Sequence, residues 1–193
     1  MGSIGMANRE ITQEEVKNLI EDASYLQDEA EALRYVIDGV PYDVNPPGSK
    51  SIVEMLLLID HAQLSYYRPI LEETIASRRA VHLEDFTHFE KSFEVDEEKK
   101  GDIQKVLAKI AKHRAGVVNV IKNITLINWE KEVHSNEEKT SLLHFMQGMI
   151  RFERGILKEI AERVMVYNQD KQTQREIEKR RAQQKGQQFT ENK

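Results

Sequence analysis

The feature that most constrains the fold is a row of apolar residues near the N-terminus, whose spacing alternates between three and four. The row comprises Val16, Leu19, Ala23, Leu26, Ala30, Leu33 and Ile37. A repeat of about 3.5 residues keeps all of them on one helical face, and such a face packs nearly parallel or antiparallel to other helices. Thr12 and Glu15 match a capping box that starts this helix, and Gly39 and Pro41 end it. The chain is therefore predicted to begin with a bundle helix.

A second helix is predicted from the capping box of Ser51 and Glu54 to about Ser77. Its first two turns are apolar on most faces, so this part is expected to lie at the centre of the core. Pro69 cannot donate a backbone hydrogen bond, and we expect a kink near Tyr66 for that reason.

The segment from 78 to 96 has no helical period and forms a long link. It contains three phenylalanines that are expected to pin it onto the body, Phe86, Phe89 and Phe93. A third helix is predicted to start near Asp96 or Asp102. Its apolar stripe consists of Ile103, Val106, Leu107, Ile110, Val117, Ile121 and Ile124.

The fourth helix is predicted to follow a connection over residues 126–133, which contains Trp129 and is expected to be buried. Ser135 and Glu138 match a third capping box, which places the start of the helix there. The apolar residues of this helix are Leu142, Leu143, Phe145, Met146, Met149, Ile150, Phe152, Ile156, Leu157, Ile160 and Val164.

These four amphipathic helices predict an all-α, antiparallel four-helix bundle over residues 11–167, after an N-terminal extension at 1–10. Residues 168–193 contain seven Lys/Arg and four Asp/Glu, and Ile177 and Ala182 are the only apolar residues up to Gln188. This polar, basic tail is expected either to extend the fourth helix or to be disordered. The tail carries +3 of the net charge of −5, so the rest carries −8. An acidic body makes nucleic acid an unfavourable partner.

The composition also excludes some chemistry and bears on location. Cysteine is absent, which excludes disulfides, thiolate metal sites and a cysteine nucleophile. The N-terminus lacks the basic region and apolar run of a signal peptide. The longest apolar run, Met55 to Ile59, is too short to span a membrane. We therefore expect a cytoplasmic protein that does not insert into membranes.

Two segments resemble the DinB-like superfamily of four-helix bundles. The first is Pro47-Gly48-Ser49-Lys50-Ser51-Ile52-Val53-Glu54-Met55-Leu56, which is similar to the pattern Pro-Gly-Lys-Trp-Ser-x-x-Glu-x-Leu. The second is Met149-Ile150-Arg151-Phe152-Glu153-Arg154-Gly155-Ile156-Leu157, which resembles His-x-x-x-His-x-Gly-x-Ile. The resemblance covers about residues 10–167 and implies the DinB-like fold.

The resemblance also implies a metal site that this sequence lacks. Members of the superfamily hold a divalent metal, often zinc or nickel, with three histidines, one from the second helix and two from the last motif. The corresponding positions here are Leu58, Met149 and Glu153. Leucine has no donor atom, and methionine is a soft ligand that is poorly suited to such a site. We therefore expect a degenerate member without metal or other cofactor.

A shifted site is the alternative, formed by His61 and Glu153. A hydrogen-bonded histidine at the edge of the core is the simpler interpretation of His61. The remaining histidines outside the last helix are interpreted as exposed, solvated residues, namely His82, His88, His113 and His134.

The sequence thus predicts a metal-free, non-enzymatic bundle that acts as a binding or structural module. A pocket between the second and fourth helices is predicted to be lined by Leu58, His61, Met149 and Glu153, and a small apolar ligand would suit it. A metal-dependent transferase or hydrolase is the alternative. A homodimer is a further hypothesis, because the apolar seam of the first helix would also suit an interface between subunits.

Overall fold

The computed structural model describes the backbone of residues 10–191 except Asp96 and Glu137, and their side chains except those of Lys99 and residues 184–191. The predicted extension at 1–10 therefore lies almost wholly outside the described residues, as does Asp96. The helices are α1 (Gln13–Val36), α2 (Ile52–Ala62), α3 (Arg68–Ala76), α4 (Phe89–Ser92), α5 (Ile103–Lys122), α6 (Leu126–Trp129) and α7 (Leu142–Glu191). The strands are β1 (Val81–His82), β2 (Glu132–Ser135) and β3 (Glu138–Ser141).

The first two capping boxes are present as predicted. The Thr12 hydroxyl accepts a hydrogen bond from the backbone N–H of Glu15 at 3.2 Å, and the Glu15 carboxylate accepts one from the N–H of Thr12 at 2.8 Å. The same reciprocal pair joins Ser51 and Glu54 at the start of α2. Asp102 caps α5 by accepting from the N–H of Lys105, so the later of the two predicted starts is correct.

A π-helical turn at Gln63–Tyr67 joins α2 to α3, one turn before Pro69 and at the site of the predicted kink. The wider turn fits a helix that has lost one backbone donor at proline. It also turns two adjacent tyrosines, Tyr66 and Tyr67, into the core. Their rings contact Phe89 of the link and Phe145 of α7, so the aromatic cluster ties α4 to the bundle.

The predicted four-helix bundle is confirmed, and its helices are α1, the α2–α3 segment, α5 and α7. The main contacts of α1 are with α5 and α7, and α2 contacts the same two helices. Therefore α1 lies diagonally across from α2, and α5 lies diagonally across from α7. The apolar seam of α1 is buried in this core, as predicted, apart from Val16, which is partly exposed.

Side-chain contacts give the directions of the helices. The end of α1 meets the start of α5, because Gln104 donates to the carbonyl of Arg34 at 2.8 Å. The start of α2 meets the later part of α7, where Arg163 donates to the carbonyl of Lys50 at 2.6 Å. Tyr67, further along, meets Phe145 near the start of α7. These two pairs of helices are antiparallel, as predicted.

The other two neighbouring pairs are parallel, which the sequence did not indicate. Along α2 and α5, Glu54 contacts Lys100 and then Asp60 contacts His113. The same order relates α1 to α7, since Asp22 contacts Arg154 and Gly39 lies beside Lys171. The long link between α3 and α5 explains this arrangement, because it returns the chain to the end of the bundle where α2 began.

A three-stranded sheet at the other end replaces the third predicted capping box. Strand β1 pairs with β2 in parallel, and β2 pairs with β3 in an antiparallel hairpin. Ser135 and Glu138 are partners across this hairpin, so the prediction of a helix start there was wrong. Asn136 takes the left-handed conformation that the turn requires, with φ of 52°. The helix begins at Leu142 instead, where the Ser141 hydroxyl accepts from the N–H of His144.

The predicted tail is helical wherever the structure describes it, since α7 continues to Glu191. Among the described residues, no helix combines the length and apolar character that crossing a bilayer requires.

Glu54 connects three segments at the start of α2 and is almost fully buried. Its carboxylate accepts hydrogen bonds from Asn45 at 2.6 Å and from the N–H of Ser51 at 2.9 Å, and Lys100 lies at 2.8 Å. Burial acts to raise the pKa of this carboxyl, but the bonds from Lys100, Ser51 and Asn45 more than offset it and lower the pKa to about 2.

We expect Glu54→Gln to lower the free energy of unfolding by about 2 kcal/mol near neutral pH, because the amide cannot replace the charged acceptor. The folded-state pKa lies below the ordinary value of 4.5, so this stabilisation is complete above that value and is lost as pH falls toward 2. Urea denaturation across this range should show the difference between variant and wild type shrinking. Glu14→Gln, on an exposed first-turn glutamate, is the control. A difference that does not change with pH would contradict the assignment.

Candidate functional site

Three of the four predicted pocket residues lie in the core. Leu58 of α2 is 7% exposed, and Met149 and Glu153, one helical turn apart on α7, are each 0% exposed. The capping box at Ser51 fixes where α2 begins, and the apolar stripe of α7 faces the core. Met149 and Glu153 are four residues apart, so both side chains lie on the inward face of α7.

Glu153 forms an ion pair with Arg114 of α5. The Arg114 side chain is 2% exposed and that of Glu153 is 1% exposed. Because α5 and α7 are diagonal neighbours, this pair crosses the middle of the bundle. Burial lowers the pKa of Arg114 to about 10, which leaves the guanidinium protonated at neutral pH. A fixed positive charge thus occupies the centre of the core.

Arg114 is the residue that the sequence analysis missed. The apolar stripe of α5 runs through Ile110 and resumes at Val117, and Arg114 occupies the intervening inward position. A gap of seven in a stripe whose other steps are all four residues or fewer was the available signal. An arginine on a core-facing stripe predicts a buried partner of opposite charge, and Glu153 is that partner.

His61 turns toward the link rather than toward Glu153. Its Nε2 lies 2.9 Å from the Ser92 hydroxyl, and its ring centroid is 5.6 Å from that of Phe93. The side chain is partly exposed. This is the arrangement expected of a hydrogen-bonded histidine at the edge of the core.

A second charged group joins α2 to α5 one residue before His61. Asp60 is 8% exposed, and its carboxylate lies 2.5 Å from Nδ1 of His113 and 3.7 Å from Nζ of Lys109. The interpretation of His113 as a solvated residue was therefore wrong, because the inward-facing Asp60 holds it.

The other loop histidines also have partners. His134 Nε2 lies 2.8 Å from Glu132, and its ring meets that of His82 at 5.0 Å. His88 stacks on Phe89 with ring centroids 4.4 Å apart. These contacts arise from the sheet, which the sequence did not indicate, and from α4, a short helix within the link.

The residues present do not fit the metal of the DinB-like superfamily. Leu58 and Met149 offer no suitable donor, and the only carboxylate at these positions, Glu153, faces a guanidinium. A divalent ion placed beside Arg114 would meet strong repulsion in a medium of low dielectric constant. Within the described part of the chain, no three His, Asp or Glu side chains come together in a geometry that could hold a metal.

Two cavities open on the surface, and neither is lined by the four predicted pocket residues. One of about 580 Å³ runs beside α1, between Val16 and Tyr25. The other, of about 520 Å³, lies between α7 and the loop that connects α1 to α2. A ligand pocket at Leu58, His61, Met149 and Glu153 stays a prediction.

The fold has a counterpart among solved structures. YfiT from Bacillus subtilis, described as "a probable metal-dependent hydrolase with an unusual four-helix bundle topology", superposes with a TM-score of 0.68. The match covers 82% of this chain and 90% of YfiT at 10% sequence identity. No protein-family model matches the chain, and no curated protein matches it significantly. At this identity the similarity establishes architecture alone, and it confirms the predicted four-helix-bundle fold, which this chain shares with YfiT.

Proposed function

We propose that this chain is a metal-free DinB-like bundle that acts as a binding or structural module. The buried ion pair between Arg114 and Glu153 is the observation that carries the proposal. It provides the centre of the bundle with a cation and an anion that belong to the chain itself, so the core does not need an ion to balance its charge.

The surrounding residues support the same function. Leu58 and Met149 pack as ordinary apolar core residues. Their burial removes apolar surface from water, which stabilises the core. These two side chains do not provide the open coordination position that metal catalysis uses. A small apolar ligand is the class that a pocket beside these two side chains would accept, as the sequence predicted.

The alternative is the metal-dependent hydrolase activity attributed to YfiT. It would require Glu153 to leave Arg114 and His61 to leave Ser92, and both would then have to reach one ion. Breaking a buried ion pair costs about 3–5 kcal/mol, which a weak two-residue site would have to recover.

Metal analysis separates the two functions. Protein purified without chelator is expected to contain zinc and nickel at far less than one ion per chain. The variant Arg114→Met/Leu58→His/Met149→His/Glu153→His is expected to gain metal, because it removes the cation and supplies three nitrogen donors. Stoichiometric metal in the wild type that is lost in His61→Ala would contradict the proposal.

The ion pair itself is tested by a double-mutant cycle. Arg114→Met or Glu153→Leu alone should reduce the free energy of unfolding by about 3–5 kcal/mol, because each leaves a buried charge without its partner. The double variant should cost much less than the sum of the two, since it replaces both charges with apolar groups. Urea denaturation measures each change.

The matched control is the exposed pair of Arg154 and Asp22, whose side chains are 41% and 47% exposed. Arg154→Met should change the free energy of unfolding by at most about 1 kcal/mol. Single variants at Arg114 and Glu153 that cost no more than this control would show that the pair does not organise the core.

A further inference from the structure

Helix α7 is much longer than the bundle that it completes. It spans 50 residues, and all residues from Gln172 to Gln183 are exposed. At about 1.5 Å per residue, the part from Gln172 to Glu191 extends about 30 Å. A polar helix of this length gains little stability from its own hydrogen bonds in water. A packing partner would supply the stability that the helix lacks.

One face of this helix carries exposed apolar side chains on both sides of the point where it leaves the bundle. Val166 is 53% exposed and Ile177 is 44% exposed. They are eleven residues apart, which is close to three full turns, so they lie on the same face. This face also lines the cavity of about 520 Å³ beside the α1–α2 loop, because Val166 and Asp170 belong to its wall.

That cavity is apolar at its base and acidic along α7. The loop contributes Val40, Pro41, Val44 and Pro46, and α7 contributes Glu159, Glu162 and Asp170 besides Val166, Tyr167 and Arg163. The guanidinium of Arg163 is already bound to Ser49, Lys50 and Glu159. Glu162 and Asp170 remain as the negative charges of this wall, and Glu162 has only a long contact of 3.9 Å with the exposed Lys158.

The protruding part of α7 has the opposite charge. Between Gln172 and Arg181 it has four basic residues and two acidic ones, which gives +2. The basic residues are Arg175, Lys179, Arg180 and Arg181. One helix thus presents an acidic, apolar groove in one segment and a basic segment with an exposed isoleucine in the next.

We propose that the groove binds the protruding α7 of a second copy of this chain. Antiparallel pairing about a two-fold axis between Lys171 and Gln172 places Val166 opposite Ile177 of the partner subunit. The same register places Glu162 opposite Arg181 of the partner subunit. It also places Arg163 opposite Arg180 of the partner subunit, where Glu159 already neutralises Arg163. Each groove then receives a basic helix, and both exposed apolar side chains are covered.

Charge complementarity selects this occupant. Nucleic acid would bind the basic residues but would be repelled by the acidic wall beside them. A small apolar ligand would fill the groove but would leave the protruding helix without support. A second copy of the chain would both fill the groove and pack against the protruding helix, through one two-fold interface. The inference does not depend on the absence of metal, so a monomer would refute it without affecting the proposed function.

Sedimentation velocity tests the interface through a charge exchange. The wild type should sediment as a dimer of about 45 kDa, twice the 22.4 kDa chain. Glu162→Arg and Arg181→Glu alone should each weaken association about tenfold, because each places like charges in contact at two symmetric positions. The double variant should restore it. Helix content by circular dichroism provides the control for folding.

Cysteine cross-linking tests the register, since the chain has no cysteine of its own. Val166→Cys/Ile177→Cys should form an interchain disulfide under mild oxidation. Either cysteine alone should not, because it lies about 16 Å along the axis from its own symmetry mate. Sedimentation of the wild type is repeated over a series of protein concentrations, with and without nucleic acid or apolar ligands. A protein that stays monomeric under all these conditions would overturn the proposal. Cross-linking of the single variants as efficiently as the double variant would also overturn it.

Discussion

The ion pair between Arg114 and Glu153 constrains how the four helices of this bundle pack. Two charges that water no longer reaches are tolerated only when they meet each other, so α5 and α7 must keep the register that brings them together. Since these helices are diagonal, that register also fixes how α1 and α2 sit between them. Breaking such a pair leaves a buried charge without its partner, so rotations of α5 or α7 that separate Arg114 from Glu153 are costly.

Polar contacts at the two ends of the bundle anchor the long link between α3 and α5. This link makes the parallel arrangement of neighbouring helices possible. At one end, Glu54 links the start of α2 to Asn45 and Lys100. At the other end, the ammonium of Lys131 donates to the carbonyls of Thr74, Ile75 and Ser77, where α3 stops. The long link can therefore cross the bundle between two anchored ends. Phe89 and its neighbouring rings hold its middle.

The surface and the core of this protein have separate roles. In the core, Arg114 and Glu153 face each other, and Leu58 and Met149 are buried apolar side chains. On the surface, α7 carries acidic and basic segments in sequence on one exposed face. The proposed metal-free core and the proposed contact of α7 with a second copy would both suit a protein that works through association.

The sequence by itself determined the helices with strong local signals. Capping at Thr12 and Ser51 and the regular seam of α1 are decided within one or two turns of chain, so the pattern was sufficient. For the candidate site, the sequence predicted pocket residues at Leu58, Met149 and Glu153, and the structure buries all three. Tertiary structure alone decided the partners of Glu153 and Asp60, because Arg114 and His113 lie on another helix. The same holds for the hairpin at Ser135, where strand β1, about fifty residues earlier, supplies hydrogen bonds that no local pattern records.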